Sequence, residues 1–201
     1  MGHCKVNGVE LSEEAITQRL EVNSGHAPSS KKINGSDLRQ AAVLIPLICQ
    51  DGEWQVLFIR RTESLAKHKG QVAFPGGGSE PEDEGIVRTA LRETYEEVGI
   101  SQDNIRILGR MNELNTHSGF AITPIVGAVA LPVHLKLQPE EVARVFTIPL
   151  SWLADASHHE KRPYRRNGKE EEVIYFQQYD GELLWGISAE ITVDLLNVLG
   201  L

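Results

Sequence analysis

Three glutamates, Glu93, Glu96 and Glu97, lie close together in a segment that has the spacing of an amphipathic helix. The core-facing stripe of this segment consists of four residues three or four positions apart: Val87, Leu91, Thr94 and Val98. At about 100° per residue, the glutamates fall on nearly the opposite side, within an arc of roughly 100°. Three carboxylates therefore share one exposed surface of the predicted helix.

This surface contains more negative than positive charge. Like charges three or four residues apart destabilise a helix by roughly 0.2–0.5 kcal/mol per pair. Arg92 can pair with Glu96, whereas Glu93 and Glu97 have no basic residue three or four positions away. Hard divalent cations such as Mg²⁺ take oxygen ligands, and two carboxylates one turn apart can reach the same ion. The alternative, which the cluster taken alone favours, is a solvated acidic face.

A glycine-rich stretch, residues 74–78, precedes the helix. Glycine lets the backbone approach a ligand closely or expose a carbonyl to a metal ion. Gly76 and Gly77 are therefore candidates for binding a phosphate of the substrate, and the carbonyl of Gly78 is a candidate metal ligand.

The spacing of glycine, glutamate and arginine across this region matches the Nudix box, which is a glycine, five residues, Glu, seven residues, then Arg-Glu-x-x-Glu-Glu-x-Gly. The matching residues are Gly78, Glu84, Arg92, Glu93, Glu96, Glu97 and Gly99. Such a match arises by chance at on the order of 10⁻⁸ per starting position. The chain therefore resembles the Nudix hydrolases, which use Mg²⁺ or Mn²⁺ to cleave nucleoside diphosphates linked to another group. Thr94 departs from the family pattern, because that position is normally aliphatic.

Residues 57–77 look like a second signature, that of the coenzyme A pyrophosphatase branch of the family. In this signature an Arg-Ser/Thr pair is followed by Leu, then Arg/Lys-Gly, then Phe-Pro-Gly-Gly; Thr62 stands here for the commoner Ser. Four basic residues precede the glycine stretch, where a polyanion needs neutralising: Arg60, Arg61, Lys67 and Lys69. The alternative is that these side chains are solvated. Residues 118–127 and 185–189 also resemble that branch.

A second basic run is Lys161, Arg162, Arg165 and Arg166, with Tyr164 among them. Neighbouring glutamates can neutralise it without a ligand, so we expect the first cluster to bind the 3′-phosphate that distinguishes coenzyme A. Tyr164 is a candidate for contacting a base or phosphate, although a solvated loop is the favoured interpretation.

The resemblance implies a cation that bridges the diphosphate to the helix carboxylates while water attacks phosphorus. Glu93 and Glu97 are the implied main metal ligands, with Glu96 and the carbonyl of Gly78 as further ligands. Arg92 is expected to orient the carboxylates.

The general base is left open between two sources. One is a box glutamate, Glu93 or Glu96. The other is a later loop carrying Glu140 and Glu141, of which Glu141 is the preferred candidate; either of these can instead be an exposed loop carboxylate.

Two rival functions are a Nudix hydrolase of another nucleoside diphosphate derivative, such as a nucleotide sugar or dinucleotide, and a catalytically silent nucleotide-binding Nudix module. Every box carboxylate is present, which makes the silent module the weaker hypothesis.

The composition predicts one sizeable domain, because 201 residues with 41% hydrophobic content suffice for a single core. A formal charge of −8 argues against nucleic acid or an anionic membrane as the main partner and leaves a small-molecule substrate. Cys4 and Cys49 lack metal-site spacing and predict free thiols in a reducing compartment. No membrane-spanning run or secretory signal is apparent, so a cytoplasmic protein is expected.

The resemblance implies an α/β architecture, the Nudix fold, with a mixed β-sheet sandwiched between α-helices over residues 39–201. Residues 1–38 are predicted to be an extension made of a short helix at 11–22, with Ser12 as N-cap, and a linker; a homodimer through this extension is possible. Strands are predicted at 41–49, 54–60, 72–74, 106–109, 120–131, 142–148, 172–179 and 183–185, with a helical turn at 150–154 and a helix at 188–199. Pro124 predicts an edge strand or a bulge.

Overall fold

A computed structural model of the chain describes residues 4–23, 38–64, 68–166 and 168–201. Its strands are β1 Lys5–Val6, β2 Val9–Glu10, β3 Arg39–Gln50, β4 Glu53–Arg61, β5 Val72–Ala73, β6 Gly76–Gly78, β7 Ile105–Arg110, β8 Leu114–Asn115, β9 Phe120–Val129, β10 Val142–Pro149, β11 His159–Arg166 and β12 Lys169–Phe176. Its helices are α1 Glu13–Asn23, α2 Ile86–Val98, α3 Leu150–Leu153 and α4 Ile187–Leu199. Strands β1 to β10 form a mixed sheet, and β11 and β12 form a separate hairpin.

Strand β3 runs through the middle of the sheet and has a different neighbour at each end. It pairs with β9 in parallel from Arg39 to Ile48, but with β4 only from Leu47 to Gln50. On the N-terminal side of Leu47, β3 separates from β4. In the gap between them, β6 pairs with β3 and β5 pairs with β4. The glycine stretch is therefore held between two diverging strands.

Helices cover both faces of this sheet, as the Nudix fold requires. Side chains alternate along β3, so Ala42 and Leu44 pack with Ala90 of α2. Ile45 and Leu47 belong instead to the main core, which contains residues of α1 and α4. Because both faces are buried, β3 has the continuous apolar sequence that predicted a buried strand. The predicted sandwich of helices around a mixed sheet is confirmed.

Local signals account for the hairpin and for the first helix. Asp51 and Gly52 both have positive φ, 52° and 76°, which suits the two-residue turn predicted between β3 and β4. The side chain of Ser12 accepts a hydrogen bond from the Ala15 N–H at 3.2 Å, as expected of an N-cap. Helix α1 packs against β7 and α4.

Pro124 predicted an edge strand or a bulge, and the edge alternative is wrong because β9 is not at an edge, although its ladder with β7 contains a register shift between Ile107 and Gly109. Strand β9 lies between β3 on one side and β7 and β8 on the other. Strand β7 ends at Arg110 and β8 begins at Leu114, and Pro124 lies opposite the gap between these two strands. The N–H that proline lacks is therefore not needed for a hydrogen bond to either strand. A gap in the neighbouring strand thus accommodates the proline.

The hairpin near the C-terminus also differs from the prediction. Strand β12 pairs with β11, whereas residues 183–185 contribute one isolated bridge, between Trp185 and Tyr175. A second isolated bridge joins Tyr179 and Glu182. The sequence of β11 is mostly charged and contains a proline, so it has few residues of high strand propensity. Tyr164 therefore lies in a strand and not in a loop.

Cys4 and Cys49 form a disulfide, so the prediction of free thiols is wrong. Lys5 pairs with Glu53, and Cys49 pairs with Trp54, which brings the two cysteines to a Cα–Cα distance of 5.9 Å. The two cysteines are 45 positions apart in the sequence, so this proximity depends on the pairing of β1 with β4. The argument for a reducing compartment loses its basis.

No helix in the described ranges is long and apolar enough to cross a bilayer.

The glycine stretch gives a prediction about stability. Gly76 has a φ of 154°, and a Cβ there would lie 2.3 Å from the Ala42 carbonyl oxygen. A Cβ at Gly78 would meet only the Phe120 ring, at 4.0 Å. Gly76→Ala should lower the free energy of unfolding by about 2–3 kcal/mol, and Gly78→Ala by less than about 1 kcal/mol, in urea denaturation. Equal losses would contradict the strand geometry described for β6.

Candidate active site

Glu97 lies at the centre of the candidate site and is buried, with 2% of its surface exposed. Its Oε2 accepts a hydrogen bond from the Gly76 N–H at 3.0 Å, and its Oε1 accepts one from Arg61 Nη1 at 3.3 Å. The prediction that all three glutamates face solvent is therefore wrong for Glu97. The reason is that α2 packs against β6 as well as β3, so its buried side is wider than the apolar stripe. The buried residues of α2 are Thr89, Ala90, Thr94, Glu97 and Val98.

Burial raises the pKa of Glu97 to about 8. The Gly76 N–H and the Arg61 guanidinium favour the charged form but do not outweigh the loss of water. The neighbouring carboxylates of Glu93 and Glu141 raise the pKa further. Without an added cation, this site therefore disfavours the charge on Glu97.

Arg92 connects the remaining acidic groups of the site. Its Nε and Nη2 donate to the two carboxylate oxygens of Asp83, at 2.9 Å and 3.0 Å. Its Nη1 donates to Glu93 at 3.0 Å and to Glu96 at 3.1 Å, which is the pairing predicted for Glu96. Its Nη2 also donates to the Gly78 carbonyl at 3.0 Å. These contacts are those required of a residue that orients carboxylates.

Asp83 is a site residue that the sequence analysis missed. Its hydrogen bonds with Arg92 hold its pKa well below the usual range, against the effect of burial. It also accepts hydrogen bonds from the Glu80 N–H at 3.0 Å and from the Thr89 hydroxyl at 2.9 Å. An aspartate three residues before a helix is a weak signal, because Asp is common there for helix capping. Asp83 thus anchors Arg92 from one of the variable positions of the Nudix box, between Gly78 and Glu84.

Glu93 and Glu96 differ in their surroundings. The Glu93 side chain is 17% exposed, and burial raises its pKa. A Cβ at Gly77 would lie 2.4 Å from Glu93 Oε1, so no larger residue fits beside this carboxylate. The Glu96 side chain is 55% exposed. Because Glu97 and Glu93 occupy the space around Gly76 and Gly77, phosphate binding by these glycines stays a prediction.

The predicted basic cluster does not form one surface. Adjacent residues of a strand point to opposite faces. Arg61 faces the site, whereas Arg60 lies 3.5 Å from Glu182 on the other face of β4. Lys69 is exposed, and Lys67 lies outside the described residues. Of the predicted basic residues that the structure describes, Arg61 is the one with a carboxylate of the site as its ion-pair partner.

The loop before β10 brings Glu141 to the site. Arg61 Nη2 lies 3.8 Å from Glu141 Oε2, and the Glu141 side chain is 46% exposed. The Thr62 N–H donates to the Glu141 carbonyl at 3.0 Å, and the Thr62 hydroxyl donates to the Glu140 carbonyl at 2.9 Å. The Gln138 N–H donates to the Glu97 carbonyl at 2.9 Å. The loop is thus fixed both to the end of β4 and to the end of α2.

Comparison with known proteins identifies the family of this chain. The family model described as the NUDIX domain matches residues 38–166. This chain belongs to the Nudix family. It is 40% identical over 164 residues to the uncharacterized Nudix hydrolase NudL of Photorhabdus laumondii, covering 82% of this chain and 86% of that protein. It is 42% identical over 153 residues to NudL of Yersinia pestis, covering 76% of each.

The Nudix fold is also seen in a solved structure. A MutT/nudix family protein from Enterococcus faecalis superposes with a TM-score of 0.50 at 18% identity, covering 85% of this chain and 63% of that one. At this identity the likeness concerns the fold alone.

The Nudix box of this chain offers donors that suit a hard divalent cation. Glu93, Glu96, Glu97 and the Gly78 carbonyl all supply oxygen. Burial raises the pKa of both Glu93 and Glu97, and neighbouring carboxylates raise each pKa further, which indicates a shortage of positive charge. Within the described residues, no three His, Cys, Asp or Glu side chains are already grouped around a metal position. Arg92 donates hydrogen bonds to three of these predicted ligands, Glu93, Glu96 and the Gly78 carbonyl. The oxygen atoms are therefore of the kind that binds a hard cation, but they are not already arranged around a metal position.

The raised pKa of Glu97 predicts a pH dependence of stability. A carboxyl whose folded pKa is raised contributes stability that is present below its unfolded pKa, near 4.5, and lost as the pH rises through about 8. Glu97→Gln removes this loss. Relative to wild type in EDTA, the variant should gain on the order of 1–3 kcal/mol in free energy of unfolding between about pH 5 and about pH 9.

The measurement is urea denaturation of both proteins at several pH values. Glu190→Gln is a control on α4, because burial also raises the pKa of Glu190, but the charges that act on it are those of Asp194 and Lys161, which lie outside the candidate site. A difference between wild type and Glu97→Gln that does not change with pH would show that Glu97 is not an electrostatically strained carboxyl.

Proposed function

We propose that this Nudix protein is a metal-dependent hydrolase that cleaves the diphosphate of coenzyme A or its derivatives. The products would be 3′,5′-ADP and 4′-phosphopantetheine, or the acylated form of the latter. The observation that carries the proposal is the contact between Arg61 and Glu97 at 3.3 Å. Arg61 belongs to the stretch that resembles the coenzyme A signature and Glu97 to the Nudix box, so the contact supports a single site built from both motifs.

Nudix hydrolases act on nucleoside diphosphate derivatives and generally use divalent metal ions such as Mg²⁺ or Mn²⁺. When bound, such an ion neutralises charge on the phosphoryl oxygens and lowers the pKa of a water ligand. Here Glu93, Glu96, Glu97 and the Gly78 carbonyl would hold it. To bind the ion, Glu93 and Glu96 would exchange part of their contact with Arg92 for a contact with the metal. Arg92, anchored by Asp83, would keep the two carboxylates in place during this exchange.

Among the candidate bases, Glu141 has the most suitable environment. It is half exposed, beside Arg61 and outside the Arg92 network. A carboxylate in such a position can take a proton from an attacking water and release it to solvent. Glu93 and Glu96 each accept a hydrogen bond from Arg92 Nη1, so both are already engaged by that guanidinium.

The alternative is a Nudix hydrolase of another nucleoside diphosphate derivative. The separation of Arg60 from Arg61 favours this alternative, because the predicted binding site for a 3′-phosphate is divided between the two faces of β4. A catalytically silent nucleotide-binding module is the less favoured third possibility, since the box carboxylates and their arginine partners are all in place.

Product analysis tests the proposal. The protein is incubated with coenzyme A, dephospho-coenzyme A, ADP-ribose and a dinucleoside polyphosphate, each with Mg²⁺ or Mn²⁺, and products are identified by mass. Coenzyme A should be cleaved fastest, and Glu97→Gln should lower turnover by at least about a hundredfold. Equal or faster cleavage of ADP-ribose or the dinucleoside polyphosphate would support the alternative substrate class instead.

Thr62 offers a test of the role of the Glu140–Glu141 loop. Thr62→Val removes the hydroxyl that donates to the Glu140 carbonyl but keeps the shape, whereas Thr62→Ser keeps the hydroxyl. Loss of this hydrogen bond, worth about 1 kcal/mol, should lower kcat roughly fivefold with little change in KM. Thr62→Ser should be close to wild type. If Thr62→Val keeps the wild-type kcat, the hydroxyl does not position a catalytic loop.

A further inference from the structure

One face of the β11–β12 hairpin carries aromatic rings in mutual contact. The rings of Tyr175 and Trp185 are stacked, with centroids 5.3 Å apart and planes at 11°. Tyr164 lies 5.9 Å from Trp185, and the Arg162 guanidinium lies 5.1 Å from the centre of the Tyr175 ring. All three aromatic side chains are only partly buried. We call these three rings, with Arg162, the aromatic face.

The aromatic face is turned away from the core. Residues paired across an antiparallel ladder share a face, and so do residues two apart along a strand. By this rule Tyr164 and Tyr175 lie on one side, and Ile174 and Phe176 lie on the other. Phe176 is 1% exposed within the main core, and Ile174 packs against that core. Core packing therefore explains the second side of the hairpin but not the aromatic one.

The aromatic face is linked to the glycine stretch of the site. Tyr164 pairs across the hairpin with Glu171, whose carboxylate lies 3.3 Å from His117 in the turn before β9. Phe120 follows three residues later, and its ring lies 4.0 Å from the Cβ position at Gly78. The Gly78 carbonyl accepts a hydrogen bond from Arg92. A substrate with its diphosphate at the carboxylates can thus extend toward the rings.

Two of the basic side chains beside the rings are paired with carboxylates. Arg162 Nη2 lies 2.8 Å from Glu160, and His117 lies 3.3 Å from Glu171. Paired charges offer little attraction for a phosphate, whereas aromatic rings and a guanidinium plane stack on the flat face of a nucleobase. This surface therefore suits a neutral, planar ligand group.

We propose that the aromatic face is the site that receives the base of the nucleotide substrate, with Tyr164 and Trp185 as its principal contacts. The proposal rests on the proposed function in that the substrate is a nucleoside diphosphate derivative. It does not depend on coenzyme A being that substrate. It assigns the base to the β11–β12 hairpin and makes no assignment for the group on the other side of the diphosphate.

The experiment separates the two halves of coenzyme A. Binding of 3′,5′-ADP, AMP and 4′-phosphopantetheine is measured by calorimetry for wild type, Tyr164→Leu, Trp185→Leu and Trp185→Phe. The two leucine variants should weaken binding of both nucleotides roughly fivefold to a hundredfold and leave 4′-phosphopantetheine within about twofold. Trp185→Phe retains an aromatic ring and should restore most of the affinity.

A matched control is Trp152→Phe. Trp152 is also a half-buried tryptophan in an aromatic stack, with His158 at 4.3 Å, but it packs against the main core. This variant should bind all three ligands as wild type does. Thermal unfolding of each variant verifies that it is folded, and if Trp185→Leu does not fold, Tyr164→Leu and Trp185→Phe decide the question.

The proposal is overturned if the leucine variants bind AMP and 3′,5′-ADP as wild type does, or if they lose 4′-phosphopantetheine instead. Failure of the proposed function gives a different result. If coenzyme A is not cleaved but Tyr164→Leu still weakens AMP binding, the substrate assignment fails and the base site stands.

Discussion

The site depends on one buried carboxylate and the two groups that hold it. Glu97 is removed from water between the Gly76 N–H and the Arg61 guanidinium, and its pKa nevertheless stays raised, at about 8. A buried charge that its partners do not fully compensate destabilises the fold, and a divalent cation relieves that penalty. The structural features around it serve this arrangement: β3 and β4 diverge, the glycine stretch fills the gap, and Arg61 reaches in from the end of β4.

Arg92 and Arg61 divide the task of holding the acidic groups. Arg92 is anchored by Asp83 and holds Glu93 and Glu96 on the outer side of α2. Arg61 lies between Glu97 and Glu141 and so connects the helix to the loop before β10. Two cations among five carboxylates leave the site with net negative charge. Burial is the main cause of the raised pKa values of Glu93 and Glu97, and the excess of carboxylates adds to it. The same excess suits the site to a divalent cation.

The fold was largely predictable, since the apolar stretches of β3 and β4 and the helical spacing of α2 and α4 correspond to elements of the structure. In α2, however, only Thr94 and Val98 of the predicted core-facing stripe are buried. The errors have physical causes. Periodicity assigns a face to Glu97 but does not show that β6 would cover that face. The disulfide between Cys4 and Cys49 and the pairing of β11 with β12 depend on contacts distant in sequence or on strands of low propensity. Asp83 and the separation of Arg60 from Arg61 became visible only once neighbouring elements had been placed.

The central claim is that Glu97 is the buried carboxylate that draws the cation into the site. It is tested most directly by Mn²⁺ binding, followed by electron paramagnetic resonance, in wild type, Glu97→Gln and the distant control Glu190→Gln. The account predicts that Glu97→Gln weakens Mn²⁺ binding by more than the roughly 10–100-fold that loss of an outer-shell partner costs, while Glu190→Gln binds as wild type does. Wild-type Mn²⁺ affinity in Glu97→Gln would contradict it.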